Sequence, residues 1–495
     1  MAGFMIAAPR SGSGKTMVTC GILELLKRKQ KNPFSYKCGP DYIDGLFHRK
    51  VLGIEGGNLD SFFEQPQDIR EKYAAVSETH FPVVEGVMGY FDGLGGDTTA
   101  ASSWEVADIL NLPVVLVVDA KGASLSLAAL IKGFQVFQGE SQSSQANKNG
   151  NHIQAVILNR ISPMLYPRMK AVIEKKTGVL VAGYVPELDF WQVGSRHLGL
   201  VLPGEIENLQ EQMRQLGDCL EKTLDVDVLL KLGEKADIDV LGSVTVTADG
   251  SSQKCEAQKN ADLVLQNQFA GEKISHSAIP IRLGVAWDEA FCFYYRDNLE
   301  FLEKQGVQIV QFSPVHDKHL PDDLDGLLLG GGYPELYAKA LGENETIRNE
   351  IRRKAEEDMP ILAECGGYLY LLKELEDENG TGYEMAGVFS GKGYKKGKNS
   401  HFGYITVQTE KDSLYLKAGE TIKGHEFHYW ESTQDENELK MQAKKPTGKR
   451  SWPCVTVKNQ VMAGFPHLYY PSLEGFGERF VQACDRYRMK RKRQQ

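Results

Sequence analysis

The sequence predicts an α/β protein of two domains, each a largely parallel sheet flanked by helices. Three observations predict this. At 495 residues the chain is too long for one hydrophobic core. Short unbroken apolar runs alternate with helical patterns, as in Leu112–Asp119 and Ala155–Arg160, and such runs fit strands buried on both faces. A polar, nonperiodic stretch over 235–278 then divides two such alternating regions. The expected boundaries are 1–234 for the first domain, 235–278 for a linker, 279–485 for the second domain and 486–495 for a basic tail.

Bulk properties narrow the function classes. The formal net charge of −9 argues against nucleic acid as a partner. The exception is the basic run Arg486–Arg493, expected as a solvated, frayed tail. No apolar run approaches membrane-spanning length, and the N-terminus reads as a first strand rather than a signal peptide. Eight Cys are scattered without metal-ligand spacing, which points to a reducing cytoplasm.

The first strand runs into Ala8-Pro9-Arg10-Ser11-Gly12-Ser13-Gly14-Lys15-Thr16, and a helical pattern follows. This is the order of a phosphate loop, although Pro9 replaces its first Gly. Gly12, Ser13 and Gly14 can turn backbone N–H groups toward phosphates, Lys15 can neutralise them, and the Thr16 hydroxyl suits Mg²⁺. Arg10 is a second basic residue of the kind found in the deviant phosphate loops of dethiobiotin synthetases and partitioning ATPases.

The next strand candidate, Phe34–Cys38, opens onto Gly39-Pro40-Asp41-Tyr42-Ile43-Asp44-Gly45. Two carboxylates three apart can hold Mg²⁺ or a substrate, and turn-forming Asp residues are the plainer alternative. Phe81–Glu85 delivers Glu85 to the carboxyl end of a strand, where open α/β sheets place ligands, and a Gly-rich loop carries Asp92. Glu85 is a candidate metal ligand. Asn159 ends another strand, and its amide is a candidate reader of an adenine edge, with a turn cap as the alternative. Gln138–Asn151 reads as a loose polar loop, and Arg196–Leu200 carries two cationic side chains suited to anionic groups.

The second domain opens at Ile281–Ala286. Leu327-Leu328-Leu329 leads onto Gly330-Gly331-Gly332, which suit backbone donors for an oxyanion. Ile361–Glu364 ends in Cys365-Gly366-Gly367, which reads as a strand, a turn and a helix start. A thiol there is expected to favour its thiolate, and a buried structural Cys is the alternative. His467, on Ala463–Tyr469, is the candidate base. His401, His425 and His428 compete with it.

Together these stretches resemble the cobyrinic acid a,c-diamide synthase family, glutamine-dependent enzymes of cobalamin biosynthesis. The segments that carry the likeness are Ser11–Thr16, Lys37–Asp44, Val84–Gly93, Arg196–Leu200, Asp288–Tyr295, Leu329–Leu336, Ala363–Gly367 and Gly424–Tyr429. The resemblance implies a phosphate-loop ATP domain followed by a flavodoxin-like class I glutamine amidotransferase domain. It implies that ATP and Mg²⁺ bind at Lys15 and Thr16, with Asp41 and Glu85 around the metal. It implies that Tyr42 and Asp92 lie near the macrocycle carboxylate, with Cys365 as nucleophile and His467 as its base. The partners implied are a corrinoid or related tetrapyrrole, ATP and glutamine, with no nucleic acid and no membrane; a homodimer is a further expectation. Rival readings are the same chemistry on Ni-sirohydrochlorin or hydrogenobyrinic acid and, more distantly, a phosphate-loop regulatory ATPase. Trp287 and Trp430 depart from the family's usual residues. Tyr469 fills the slot where class I amidotransferases carry a Glu, which leaves the partner of His467 open.

Overall fold

The computed structural model describes residues 2–137, 139, 152–191, 206–234, 280–397, 401–434, 439–448 and 450–494. The expected linker 235–278, the run Arg196–Leu200 and all but residue 139 of the polar loop 138–151 lie outside the described residues.

The first domain holds a seven-stranded, all-parallel sheet. Its strands are β1 (Phe4–Ala7), β2 (Pro33–Cys38), β3 (Gly56–Leu59), β4 (Phe81–Glu85), β5 (Val114–Asp119), β6 (Ile153–Asn159) and β7 (Leu180–Val185), ordered β3-β2-β4-β1-β5-β6-β7. Strand β5 is buried from Val114 to Val118, as a central parallel strand covered on both faces must be. Two apolar clusters pack on the opposite faces of the sheet: one around Trp104, Leu110 and Ile131, the other around Leu23, Leu26 and Leu216. Register sets the functional edge: Glu85 stands opposite Ile6 on one side and Lys37 on the other. The carboxyl ends of β1, β2 and β4 therefore meet.

The second domain is built on a ten-stranded sheet. Val307–Phe312, Ile281–Ala286, Gly326–Leu329, Ile361–Glu364 and Val461–Gly464 run parallel in that spatial order. Ser451–Lys458, Leu439–Lys444, Phe402–Gln408, Thr421–Phe427 and His467–Leu468 extend it antiparallel. The expected parallel sheet is thus the half that carries Cys365, and the antiparallel half brings in His467.

The basic run at the end is not a frayed tail. It continues the helix Phe476–Gln494, where Arg491 pairs with Asp325 at 3.1 Å and Lys490 with Asp358 at 3.2 Å. Those acidic partners are distant in sequence, and they hold down charges that local reading leaves free.

An aromatic seam joins the two halves. Tyr42 and Phe63 of the first pack with Tyr295 and Tyr469 of the second. Lys72 pairs with Asp297 at 2.8 Å, and Tyr404 donates to Asp60 at 2.9 Å across the same seam.

Candidate active site

The phosphate loop leaves β1 and enters the helix Lys15–Arg28. Gly14 has φ 94°, and a Cβ there would lie 2.2 Å from Asn159 Nδ2, so no other residue fits. Asn159 braces the loop from behind, donating from Nδ2 to the Ser13 carbonyl at 2.9 Å. An adenine edge is its expected partner; one amide N–H goes to the loop, and the buried Oδ1 has no partner among the described residues. Ser13 Oγ donates to the Arg10 carbonyl at 2.9 Å. Lys15 is buried and donates to the Met88 carbonyl. Burial, and then Lys37, lower its pKa to about 8.

Beside the loop lies a buried charge cluster. Thr16 Oγ1 donates to Glu85 Oε1 at 2.6 Å. Lys37 Nζ bonds Glu85 Oε1 at 2.8 Å and Asp44 Oδ2, and sits 3.8 Å from Asp41. Burial and then Asp44 raise Asp41 to about 6. Burial lifts Glu85 to about 7 against the pull of Lys37. Burial also opposes ionisation of Asp44, but Lys37 outweighs it and holds that carboxyl low. Sequence reading missed Lys37 as a site residue. The signal was a lone Lys at the penultimate position of a buried strand, a position that needs a counter-charge.

The oxygens of Thr16, Glu85 and Asp41 are hard donors, and Glu85 Oε2 is buried with no partner among the described residues. That set fits Mg²⁺ completed by phosphate oxygens and water. Among the described residues no three His, Cys, Asp or Glu side chains form a metal cage of their own. Asp92 closes its own loop instead, accepting from Gly89 N at 2.9 Å.

The second centre forms where Ile361–Glu364 ends. Cys365 has φ 48° and ψ −102°, a strained elbow for a residue with a Cβ. Its N–H donates to the Gly464 carbonyl at 2.8 Å. Gly367 must be Gly, because a Cβ there would lie 2.1 Å from the Leu329 carbonyl oxygen. A Cβ on Gly331 would lie 2.3 Å from His467 Cε1. The Cys365 turn, the glycine run and the His467 ring therefore converge. Of the three glycine donors, Gly330 N–H is taken by the Tyr294 hydroxyl at 2.8 Å.

The expected thiolate is corrected. Burial pushes the Cys365 thiol up, Glu335 adds to this, and the Gly366 N–H only partly offsets them. The helix behind it, Gly366–Leu371, is one short turn and cannot overcome that desolvation. Burial, and then His428, lower His467 to about 3. Burial thus works against charge on both the thiol and the imidazole.

The competing histidines separate clearly. His428 bonds the Trp430 carbonyl at 2.6 Å and stacks on Phe465 at 3.9 Å; His401 stacks on Trp452 at 4.2 Å. His425 stacks on His467 itself at 4.8 Å, with Tyr295 Oη 2.8 Å from its Nδ1. Tyr42 was expected near a substrate carboxylate; its ring lies between Phe293 at 5.5 Å and His467 at 5.4 Å. Trp430 is buried and donates to the Glu376 carbonyl at 3.1 Å. Trp287 stacks on Tyr294 at 5.1 Å beside a cavity of 670 Å³ between the two halves, which Asp41, Tyr42, Arg49 and Arg296 also line.

Known proteins match both centres. The family described as the CobQ/CobB/MinD/ParA nucleotide binding domain matches residues 4–200. The CobB/CobQ-like glutamine amidotransferase domain matches residues 282–473. The chain is similar to a cobyrinate a,c-diamide synthase of Caldanaerobacter subterraneus subsp. tengcongensis, with 36% identity covering 98% of each chain. A protein of that name from Streptococcus sanguinis is 37% identical over 94% of this chain and 95% of its own. One from Salmonella typhimurium is 37% identical over 86% of this chain and 85% of its own.

Proposed function

We infer the function from one premise: the chain belongs to the cobyrinate a,c-diamide synthase family, glutamine-hydrolysing ligases with a nucleotide-binding domain. Its substrate is cobyrinic acid, and its reaction is amidation of the a and c side-chain carboxylates, with one ATP and one glutamine spent on each.

A carboxylate is a poor acyl donor because its leaving group is oxide. Phosphoryl transfer from ATP makes an acyl phosphate that ammonia can attack. The protein's part is to place the reactants and neutralise charge. Lys15 and the loop N–H groups take the phosphates. Thr16, Glu85 and Asp41 would hold Mg²⁺, which would supply positive charge to offset that of the phosphates. Asp92 stands on the neighbouring loop beside the incoming carboxylate. The 670 Å³ cavity beside Asp41 gives room for a large ligand.

Ammonia comes from glutamine. Cys365 Sγ attacks the side-chain amide carbonyl as its proton passes to His467. The imidazolium returns a proton to the leaving nitrogen, which departs as ammonia and leaves a γ-glutamyl thioester. Water, deprotonated by His467, then releases glutamate. Making ammonia internally avoids its loss as ammonium, which is not nucleophilic.

The observation that carries this reading is the convergence of Cys365, Gly331 and His467 in the chain that also holds the Lys15 loop and the Glu85 cluster. The test incubates the protein with ATP, Mg²⁺ and glutamine and offers cobyrinic acid or Ni-sirohydrochlorin. Two oxygen-to-nitrogen replacements on cobyrinic acid are expected by mass. Conversion of the nickel substrate alone moves the pathway and keeps the mechanism. ATP hydrolysis with neither substrate amidated would sink the reading.

A further inference from the structure

Among the described residues no carboxylate bonds His467 in the way that orients a catalytic imidazole in a three-membered arrangement. Among the described residues its buried Nδ1 has no hydrogen-bond partner. Tyr469, in the slot where an acid would stand, donates to Asp297 at 3.0 Å and stacks on Phe63 at 5.0 Å. Glu364 Oε1 is occupied by Leu468 N at 3.3 Å and Tyr470 Oη at 3.1 Å. Two rings face the imidazole instead: His425 at 4.8 Å and 16°, and Tyr42 at 5.4 Å and 43°. His425 belongs to the same half of the molecule, and Tyr42 belongs to the other.

The Tyr42 ring is itself held by Phe293 at 5.5 Å and Tyr295 at 4.7 Å. Its backbone follows Asp41 directly. Asp41 Oδ1 accepts from Ile43 N at 2.9 Å and Asp44 N at 3.3 Å. Asn58 Nδ2 ties the Gly39 and Asp41 carbonyls at 2.9 and 3.0 Å. Neighbouring residues on one clamped loop thus face the two reacting centres.

We propose that Tyr42 is a positioning residue for His467, supplied by the nucleotide-binding half, and that it makes glutamine hydrolysis answer to the nucleotide held at Asp41. The proposal rests on the glutaminase and ATP readings above. Aromatic packing fixes the plane of the imidazole that no carboxylate holds. A shift of the Asp41 loop as nucleotide and metal engage the Lys37 cluster reaches that plane through one peptide unit.

The test measures glutamine hydrolysis by the full chain without any macrocycle, with and without ATP and Mg²⁺. The wild type is expected to change rate about three-fold or more on adding nucleotide, a coupling of ordinary size. Tyr42→Ala is expected to lose about ten-fold in kcat, with KM for glutamine held within about two-fold, because orientation is lost and binding is not. It should also lose the nucleotide response. Its acid limb in the pH profile should move upward, because water admitted beside His467 lets the imidazole regain its ordinary basicity. Tyr42→Phe keeps the ring and should restore all three properties. An unchanged rate in Tyr42→Ala, an unmoved acid limb, or Tyr42→Phe as impaired as Tyr42→Ala overturns the positioning role. A wild type indifferent to nucleotide overturns the coupling. A wild type that hydrolyses no glutamine overturns the function itself, and that outcome is separate from all of these.

Discussion

Lys37, Asp44 and Glu85 are buried together with the half-buried Asp41 at their edge, so the Lys37 ammonium faces three carboxylates. Around Cys365 burial works against charge on several groups. The thiol is raised, His467 is lowered to about 3, and Glu335 and Glu364 are each raised by burial to about 8. The nucleotide centre is built for charge that arrives from outside, so its dipoles and cations stand in place beforehand. In the proposed mechanism the thiol centre makes its charge only when the proton moves from sulfur to imidazole. The same low dielectric therefore serves opposite ends: it strengthens fixed pairs in one place and forbids resting ions in the other.

The largest expected effect comes from breaking one centre and sparing the other. Cys365→Ser should lower glutamine-driven amidation by about 10³-fold or more, since the nucleophile is gone. Amidation driven by added ammonium should persist. Equal losses with both nitrogen sources would end the division of labour between the centres.

Lys15→Met breaks the comparison from the other side. Under the proposed function phosphoryl transfer loses a buried cation of the phosphate loop, and about 10²-fold or more in kcat is expected to go. The loss should be the same with glutamine and with ammonium, read as amide formed. Glutamine hydrolysis without nucleotide should stay measurable in this variant. A defect confined to glutamine-driven amidation would mean that Lys15 serves the wrong centre.

What was legible in the sequence follows the same divide between local and distant causes. Gly14-Lys15-Thr16 and Cys365-Gly366-Gly367 carry their geometry in consecutive residues, so the loop and the elbow could be read directly. His467 could be proposed because a short Gly-Phe-Pro-His run follows a strand. Lys37 could be read only as a buried Lys in need of a counter-charge, because the partner itself depends on the β2–β4 register that sets it opposite Glu85. The Tyr42–His467 contact, which spans the two halves, could not be read. The thiolate expectation failed for a related reason: a helix start is local and visible, whereas the burial that opposes it comes from the whole fold.

The smallest effect sharpens the contrast by sign. Glu364 is fully buried and its folded pKa of about 8 lies above the ordinary 4.5. The folded state keeps its proton while the unfolded chain ionises, so stability falls as pH rises from about 4.5 toward 8. Asp44, held low by Lys37, works in reverse: its contribution is present above the ordinary 3.8 and is lost as pH falls. Glu364→Gln cannot ionise and keeps an oxygen for Leu468 N and Tyr470 Oη. The variant should therefore unfold about 2 °C above the wild type at pH 8, and lose that advantage toward pH 4, where Glu364 keeps its proton folded and unfolded alike. Thermal unfolding followed across that pH range tests it, and parallel curves for the two proteins would mean that Glu364 titrates alike folded and unfolded. A rise in midpoint at pH 8, without loss of glutamine hydrolysis, would place the uncharged character of the thiol centre in burial rather than in any fixed counter-charge.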